Sequence, residues 1–177
     1  MSNRRMAYLA FIFVCILAFV VRQNYFSNRW RRYNDRATGI ALEYPASWFK
    51  ISFYHCSTCH YIKLFVMDIP VIDQMELRVY TAKKNDAHIQ KGKSFGEWIV
   101  RENSKNVHIL NRRESNVGKA GYYGEEIAYE DKLFRGRVVT LHHHGQVYAI
   151  EIHAIKKKWN EASTVFDKIL ETFEFLE

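Results

Sequence analysis

The chain lacks the sequence patterns of the common catalytic machineries. It contains no G-x-S-x-G nucleophile turn, no glycine-lysine phosphate loop and no H-E-x-x-H zinc motif. Proline and glycine are scarce, at 2 and 8 of 177 residues, and there are no repeats or low-complexity segments. Because 48% of the residues are hydrophobic, a chain of this length can bury one sizeable core. The sequence therefore favours one folded domain with an appendage, and it offers no catalytic constellation.

Acidic residues are nearly absent from the N-terminal segment. Residues 1–36 hold seven arginines and one acid, Asp35, which gives +6 of the total charge of +7. The other 141 residues hold 19 basic and 18 acidic side chains, so the folded part is close to neutral and does not favour a nucleic-acid partner. The basic segment suits anionic lipid head groups, and we expect four arginines to contact the membrane surface: Arg22, Arg29, Arg31 and Arg32.

Charge is also missing from Met6 to Val21 (MAYLAFIFVCILAFVV), a run of 16 residues that comes after Arg4 and Arg5. Such a run predicts a signal anchor or transmembrane helix over residues 1–22. There is no A-x-A-like cleavage site, and Cys15 follows a valine rather than the small residue that precedes a lipoprotein cysteine. The segment is therefore expected to stay attached to the mature protein.

The flanking charges and the type of N-terminal signal disagree on which side of the membrane the folded domain lies. Two arginines precede the apolar run and five come within about 15 residues after it, which alone favours a cytoplasmic domain. N-terminal hydrophobic signals nevertheless often export the domain to which they are attached. We expect a single-pass membrane protein with a basic, aromatic juxtamembrane linker at residues 23–37 and a folded domain at residues 38–177.

The domain reads as an antiparallel α+β fold. Apolar and polar residues alternate in a series of short runs that predict strands, at residues 40–44, 48–54, 61–69, 75–82, 107–112, 125–131, 134–143 and 146–155. Ser94 and Glu97 form a capping box that opens a helix to about Lys105, and helical spacing predicts a second helix that ends near Thr172. Hairpin-linked strands imply an antiparallel sheet with the helices packed on it.

The rare cysteines draw attention to HCSTCH at residues 55–60. Two strands flank this motif, and the register that pairs Phe53 with Ile62 gives one wholly apolar face. That register places Cys56 opposite Cys59 at the hairpin tip. The C-x-x-C-H spacing is that of a c-type haem attachment site, but haem is disfavoured because Cys59 and His60 would point to opposite faces of a strand.

Two other interpretations of the motif stay open. Cys56 and Cys59, with His55 and His60, have the composition of a Cys₂His₂ zinc or copper site, although the tip would have to distort to gather all four. Alternatively, Cys56 and Cys59 form a small structural disulfide or remain two free thiols. A redox-active dithiol normally lies at a helix N-terminus, and no helix is predicted here.

The other polar clusters are attributed to solvated surfaces. His142, His143 and His144 lie near a predicted turn, where such a run is usually exposed. The acidic residues of the neighbouring strand are explained in the same way: Glu125, Glu126, Glu130 and Asp131.

Three stretches resemble the PsbP-like superfamily. The first is TGIALEYPASW at residues 38–48, which is similar to the opening strand and the Tyr-Pro-x-x-Trp turn of that family. The second is Val117 to Tyr129, which resembles a glycine-rich turn that leads into a central strand. The third is Gly145 to Phe175, whose Lys158-Trp159 and final Thr-Phe-Glu-Phe resemble the closing strand, loop and last helix.

The resemblance implies an α/β/α sandwich around an antiparallel sheet. Members are mostly non-enzymatic, and they include extrinsic photosystem II subunits, exported bacterial lipoproteins or membrane-anchored proteins, and a Ran-binding protein. No family-wide catalytic residue or cofactor is implied, and an exported domain is favoured. The anchor and the pair Cys56 and Cys59 depart from the photosystem subunits, so a photosynthetic role is disfavoured.

The expected function is a non-catalytic, membrane-anchored binding or accessory module that acts on a membrane complex or an envelope partner. The alternative is a metal-binding or redox-linked protein that uses Cys56, Cys59 and His60.

Overall fold

A computed structural model describes residues 3–26, 29–53, 59–66, 75–83, 94–103 and 106–177. Seven strands form one antiparallel sheet in the order β3-β4-β5-β9-β8-β7-β6, and three more form a small sheet in the order β1-β2-β10. The strands are β1 (Trp30–Asp35), β2 (Ile40–Pro45), β3 (Phe49–Phe53), β4 (Cys59–Val66), β5 (Met75–Lys83), β6 (His108–Val117), β7 (Tyr122–Glu130), β8 (Phe134–His143), β9 (Gln146–Ile155) and β10 (Glu174–Phe175). The helices are α1 (Asn3–Phe26), α2 (Phe95–Asn103) and α3 (Trp159–Thr172).

Both faces of the seven-stranded sheet are covered. Helix α2 packs on β7, β8 and β9 from one side, whereas α3 packs between β9 and the small sheet on the other. Successive side chains of β9 point to opposite faces of the sheet, so the strand contributes to two separate cores. Val147 and Ala149 belong to the cluster under α2, and Ile150 and Ile152 belong to the larger cluster under α3. The predicted α+β class with helices on an antiparallel sheet is confirmed.

The first strand lies inside the segment predicted as a linker, residues 23–37. Strand β1 pairs with β2 along its whole length, from Trp30 opposite Pro45 to Asp35 opposite Ile40. Tyr33 is 6% exposed and belongs to the core. The sequence of this strand has no alternating hydrophobic pattern, because only one of its side chains is fully buried and its arginines lie at exposed positions.

The hairpin of β3 and β4 has a different register from the predicted one. The structure pairs Phe53 with Tyr61 rather than with Ile62. A strand's register depends on both of its neighbours, and β4 is also paired with β5 over eight residues. Side-chain matching within the hairpin alone does not contain this constraint. The register that placed Cys56 opposite Cys59 is therefore wrong, and Cys56 itself lies outside the described residues.

Both predicted helices of the domain are confirmed. The Ser94 Oγ accepts the backbone N–H of Glu97 at 3.3 Å, which is the first half of the predicted capping box. The Glu97 carboxylate turns outward to Arg101 instead of returning to Ser94. Helix α3 ends at Thr172 as expected, and the next residues form β10, which pairs with β2.

The N-terminal helix α1 is 24 residues long. It exposes its large apolar side chains, including Phe11 (68% exposed) and Phe13 (65% exposed). Among the described residues, no helix combines the length and the apolarity that crossing a membrane requires. The anchor over residues 1–22 stays a prediction.

The β8–β9 hairpin closes around His144 and Gly145, as the sequence predicted. Both residues have positive φ, 47° and 76°, which a two-residue type I′ turn requires. His143 precedes the turn, and its ring stacks on Phe175 with the ring centroids 3.9 Å apart. The turn thus holds the final strand against the end of the large sheet.

We expect this stacked contact to weaken in mild acid. Burial, with a smaller contribution from His144, lowers the pKa of His143 below its ordinary value of 6.5. The unfolded chain then binds the proton more readily, so the contribution of His143 to stability is complete above pH 6.5 and is lost as the pH falls from there through the folded-state pKa. Melting temperatures measured between about pH 7.5 and pH 5 should fall less steeply in His143→Phe than in the unchanged protein. Equal slopes would contradict this assignment.

Candidate functional site

A surface groove opens where α2 begins beside β7 and β8. Its cavity measures about 330 Å³ and is lined by Ser94, Phe95, Tyr123, Gly124, Glu125, Thr140 and His142. Glu125 and Thr140 are direct cross-strand partners, so the two strands form the floor. The first turn of α2, capped by Ser94, forms the wall. The groove is therefore built on regular elements of the fold.

The groove combines an apolar interior with one prominent aromatic side chain. Phe95 is 3% exposed and stacks on Trp98 with the ring centroids 5.6 Å apart. Tyr123 is 63% exposed, and a hydrogen bond between its hydroxyl and Glu114 raises the pKa of Tyr123. Thr140 is buried, and its hydroxyl has no hydrogen-bond partner among the described residues. The hydroxyl lies beneath Gly96 of α2, where a Cβ would come within 2.7 Å of it, so this position requires a residue without a side chain.

Charged side chains form a chain of ion pairs along the rim of the groove. Glu97 pairs with Arg101 at 2.9 Å and with Arg112 at 2.5 Å, and Arg112 lies 3.6 Å from Glu125. A hydrogen bond from Arg112, followed by one from Arg101, lowers the pKa of Glu97. Glu97 therefore stays ionised and paired at neutral pH.

This arrangement can bind a partner more readily than it can catalyse a reaction. An apolar centre within a charged rim is the usual anatomy of a protein interface, and an exposed tyrosine is a frequent energetic centre of one. The Ser94 hydroxyl is engaged as a helix cap, and Glu125 faces an arginine. Neither group is therefore an unengaged nucleophile or base.

A second concentration of polar groups lies buried on the α2 side of β5, β7 and β9. Glu151 is 0% exposed and accepts hydrogen bonds from Tyr129 at 2.5 Å and from Tyr80 at 3.0 Å. The Arg78 guanidinium lies 3.6 Å from Glu151 and donates to Glu76 at 2.7 Å. We call these five residues the buried network.

Two members of the buried network, Tyr129 and Arg78, have pKa values above their usual ones. Burial raises the pKa of Tyr129, and the neighbouring Glu151 raises it further. Burial opposes the charge on Arg78, but the carboxylates of Glu151 and Glu76 outweigh it, so the pKa of Arg78 lies above its usual value. Since Glu151 is 0% and Tyr129 4% exposed, no substrate reaches this carboxylate. The network joins the three strands and has no direct part in binding.

One acidic residue of β7, Glu126, differs from its predicted solvated setting. Glu126 is only 3% exposed and lies against Arg137, whose Nε donates to it at 2.9 Å. Arg137 also donates to Asp167 of α3 at 2.7 Å, so the pair attaches that helix to the sheet. Burial acts to raise the pKa of Glu126, but Arg137 and Arg113 outweigh it and lower the pKa. The solvated-face interpretation is wrong for Glu126, because the helix covers this side of the strand.

The residues predicted for a metal or disulfide lie largely outside the described part of the chain. His55 and Cys56 are not described, and β4 places the backbone of Cys59 opposite Ala82 and that of His60 opposite Thr81. Within the described residues, no group of three or more histidine, cysteine, aspartate or glutamate side chains could hold a metal ion. The zinc or copper site, like the disulfide, stays a prediction.

The predicted lipid-facing arginines fall on two elements. Arg22 lies in α1, Arg29 directly precedes β1, and Arg31 and Arg32 are exposed on β1. Arg32 forms an ion pair with Glu174 of β10 and donates to Asn34 at 3.0 Å. Part of the basic segment is therefore used inside the domain, and its contact with lipid remains a prediction.

The sequence contained signals for the buried network that the prediction did not use. Glu151 is the one carboxylate in the apolar run VYAIEIHAI, and Arg78 interrupts MELRVYTA in the same way. A charge in a strand that is otherwise apolar indicates a buried partner. The groove gave a weaker signal, because Ser94 lies about 30 to 50 residues before the strands that face it and no local pattern joins them.

The described elements define a class of small α+β domains, in which one antiparallel sheet is covered by helices on both faces. No protein-family profile and no curated protein sequence matches the chain. The comparison with solved structures identifies the architecture as the PsbP-like fold.

The structure of cyanobacterial PsbP (CyanoP) from Synechocystis is similar with a TM-score of 0.60 and 13% identity, over 82% of this chain and 92% of that one. LpqN of Mycobacterium tuberculosis, described as involved in cell envelope biogenesis, matches with a TM-score of 0.49 and 13% identity, over 86% and 95% of the two chains. At such identities the likeness defines the fold alone.

Proposed function

We propose that this protein is a non-catalytic, membrane-anchored binding module that docks an extramembrane part of a membrane or envelope protein in the groove beside α2. The observation that carries this proposal is the groove itself, with an apolar interior, a charged rim and Tyr123 standing 63% exposed beside it. PsbP-like proteins are mostly accessory proteins, which supports the same class of role.

Membrane anchoring is supported by α1. Its uncharged run of 16 residues is about 24 Å long as a helix, slightly less than the roughly 30 Å of a bilayer core. Arginines flank the run on both sides, at Arg4, Arg5 and Arg22. Long arginine side chains can reach the head groups from within the bilayer, which offsets such a difference in length. We propose that the domain lies on the exported side.

The proposal is tested by placing a photoreactive phenylalanine analogue at position 123 of the full-length protein in its native membrane. We expect one discrete cross-linked membrane or envelope protein, identifiable by mass spectrometry. A matched variant carries the analogue at Thr164, which is exposed on α3 on the opposite side of the sheet. Tyr123→Ala should then reduce co-purification of the identified protein by at least about tenfold, because tyrosine is frequently an interface hot spot.

The metal or redox alternative is separated in the same experiment. Replacing both Cys56 and Cys59 by alanine should leave the cross-link from position 123 unchanged if the groove is the functional site. Loss of a stoichiometric metal together with loss of the cross-link would favour the alternative. Cross-linking that is absent, or equal at positions 123 and 164, would overturn the docking proposal.

A further inference from the structure

Two turns form a lysine-rich tip at one end of the domain. The first is the β7–β8 turn at residues 131–133, and the second is the 3₁₀ turn Lys156–Lys158 that precedes α3. The backbone N–H of Lys156 donates to the carbonyl of Leu133 at 3.1 Å, which joins the two turns. Leu133 is nevertheless 64% exposed. We call this surface the tip.

The outward position of Leu133 is fixed by hydrogen bonds. The Asp131 Oδ1 accepts the backbone N–H groups of Leu133 at 2.8 Å and of Phe134 at 2.7 Å. The N–H of Asp131 in turn donates to the carbonyl of Phe134 at 3.0 Å. An apolar side chain is thus held toward solvent by an ordered turn, which lowers the entropic cost of inserting it into another phase.

The tip carries an excess of positive charge. Its basic residues are Lys132, Arg135, Lys156, Lys157 and Lys158, and its acids are Glu130, Asp131 and Glu161. Glu130 is shared between Arg135 at 2.9 Å and Lys156 at 3.4 Å, and Asp131 is committed to the backbone of its own turn. Lys158 lies 3.6 Å from Glu161. With five basic and three acidic side chains, the surface around Leu133 keeps a net charge of +2, and it is complementary to an anionic surface.

The tip also lies at the end of the domain where β1 begins, which is the end that is connected to α1. Lys168 of α3 lies 4.2 Å from the ring centroid of Trp30, and the Thr172 Oγ1 accepts the N–H of Glu43. Helix α3 consequently runs alongside β1 in the same direction. Its first residue, Trp159, projects about 13 Å beyond Lys168, toward the side from which β1 begins.

The connection between α1 and the start of β1 is short, which limits the distance between the anchor and this end of the domain. Only residues 27 and 28 separate the end of α1 from Arg29, so the Cα atoms of Phe26 and Arg29 lie at most about 11 Å apart. A membrane that holds α1 is thus within reach of the tip. The groove residue Tyr123 lies at the other end of β7 from the tip, about 25 Å away along the strand.

We propose that the tip is a second membrane contact, in which Leu133 inserts between the head groups of an anionic lipid surface and the surrounding lysines bind their phosphates. This inference rests on the proposed anchoring by α1. It assigns the domain an orientation, with the tip on the lipid and the groove directed away from it. Apolar insertion combined with basic residues is the usual chemistry of such interfacial contacts.

The test uses Leu133→Trp in the full-length protein, reconstituted into vesicles that contain brominated phosphatidylcholine with or without phosphatidylglycerol. We expect bromine to quench the added tryptophan in the anionic vesicles. The matched control is Tyr123→Trp, whose position is equally exposed, at 63% against 64%, and should not be quenched. Replacing Lys156, Lys157 and Lys158 by glutamine should weaken the contact by about 100-fold, at about fivefold for each lysine.

The outcomes separate this inference from the anchoring proposal. A protein that does not float with either kind of vesicle would overturn the anchor, and the tip contact with it. A protein that floats while Leu133→Trp and Tyr123→Trp are quenched equally, or not at all, would overturn the tip contact and leave the anchor standing. Equal quenching of Leu133→Trp in neutral and anionic vesicles would overturn the role of the lysines.

Discussion

Replacing Gly118 by alanine should lower the free energy of unfolding by about 2 to 5 kcal/mol, the sum of a left-handed backbone cost of about 1–2 kcal/mol and an overpacking cost of about 1–3 kcal/mol. Gly118 has a φ of 71°, and a Cβ at this position would overlap the carbonyl oxygen of Phe173. Its N–H donates to the carbonyl of Leu170 at 2.8 Å, so the turn after β6 holds the end of α3. Urea unfolding followed by tryptophan fluorescence measures the change.

Gly121→Ala is the matched control for this substitution. Gly121 lies in the same turn with nearly the same φ, 68°, but a Cβ there meets no atom within 4 Å. The control should therefore show the backbone cost alone, about 1–2 kcal/mol. If the two variants are equally destabilised, the close approach of Gly118 to the Phe173 carbonyl adds no cost. If Gly118→Ala does not fold while Gly121→Ala does, the difference between them is still established.

Replacing Arg78 by leucine should cost about 3–5 kcal/mol of stability, the usual effect of removing one partner from a buried ion pair. The substitution leaves the carboxylates of Glu76 (5% exposed) and Glu151 (0% exposed) without the guanidinium that faces both. The sheet is then weakened at its centre, because β5 and β9 are paired at these positions. Chemical unfolding near neutral pH gives the magnitude.

Arg101→Leu provides the comparison for Arg78→Leu. Arg101 is 51% exposed and pairs with Glu97 at 2.9 Å, so water screens the pair and its loss should cost less than about 1 kcal/mol. Similar effects of the two substitutions would mean that the buried network contributes no more than a surface pair. The order of the two values is therefore the decisive result.

The architecture could be predicted from the sequence because most elements carry their own periodic signal. Strand β9 alternates cleanly, α3 repeats its apolar residues at helical spacing, and Ser94 caps α2. Strand β1 escaped prediction because its arginines fill the exposed positions and leave Tyr33 as its one fully buried side chain. The register of β3 and β4 escaped because it depends on β5, which the hairpin sequence does not contain.

The candidate site depended still more on tertiary structure. Phe95, Tyr123 and Thr140 come together only after α2 has packed across β7 and β8. Glu126 looked like a surface acid because the arginine that neutralises it lies 11 positions further on, and α3 covers both. Local pattern therefore predicted the elements, while the groove and the ion pairs arise from contacts between elements.

The small sheet brings together strands that are far apart in the sequence, which determines the order in which they can pair during folding. Strand β2 obtains one neighbour, β1, from the residues just before it, but its other neighbour, β10, lies about 130 residues further along the described chain. The hydrogen bond between Glu43 and Thr172 spans 129 positions of sequence. Closing so long a loop is slow compared with forming local hairpins. The edge of β2 consequently remains open during synthesis until Glu174 and Phe175 have emerged and paired with it.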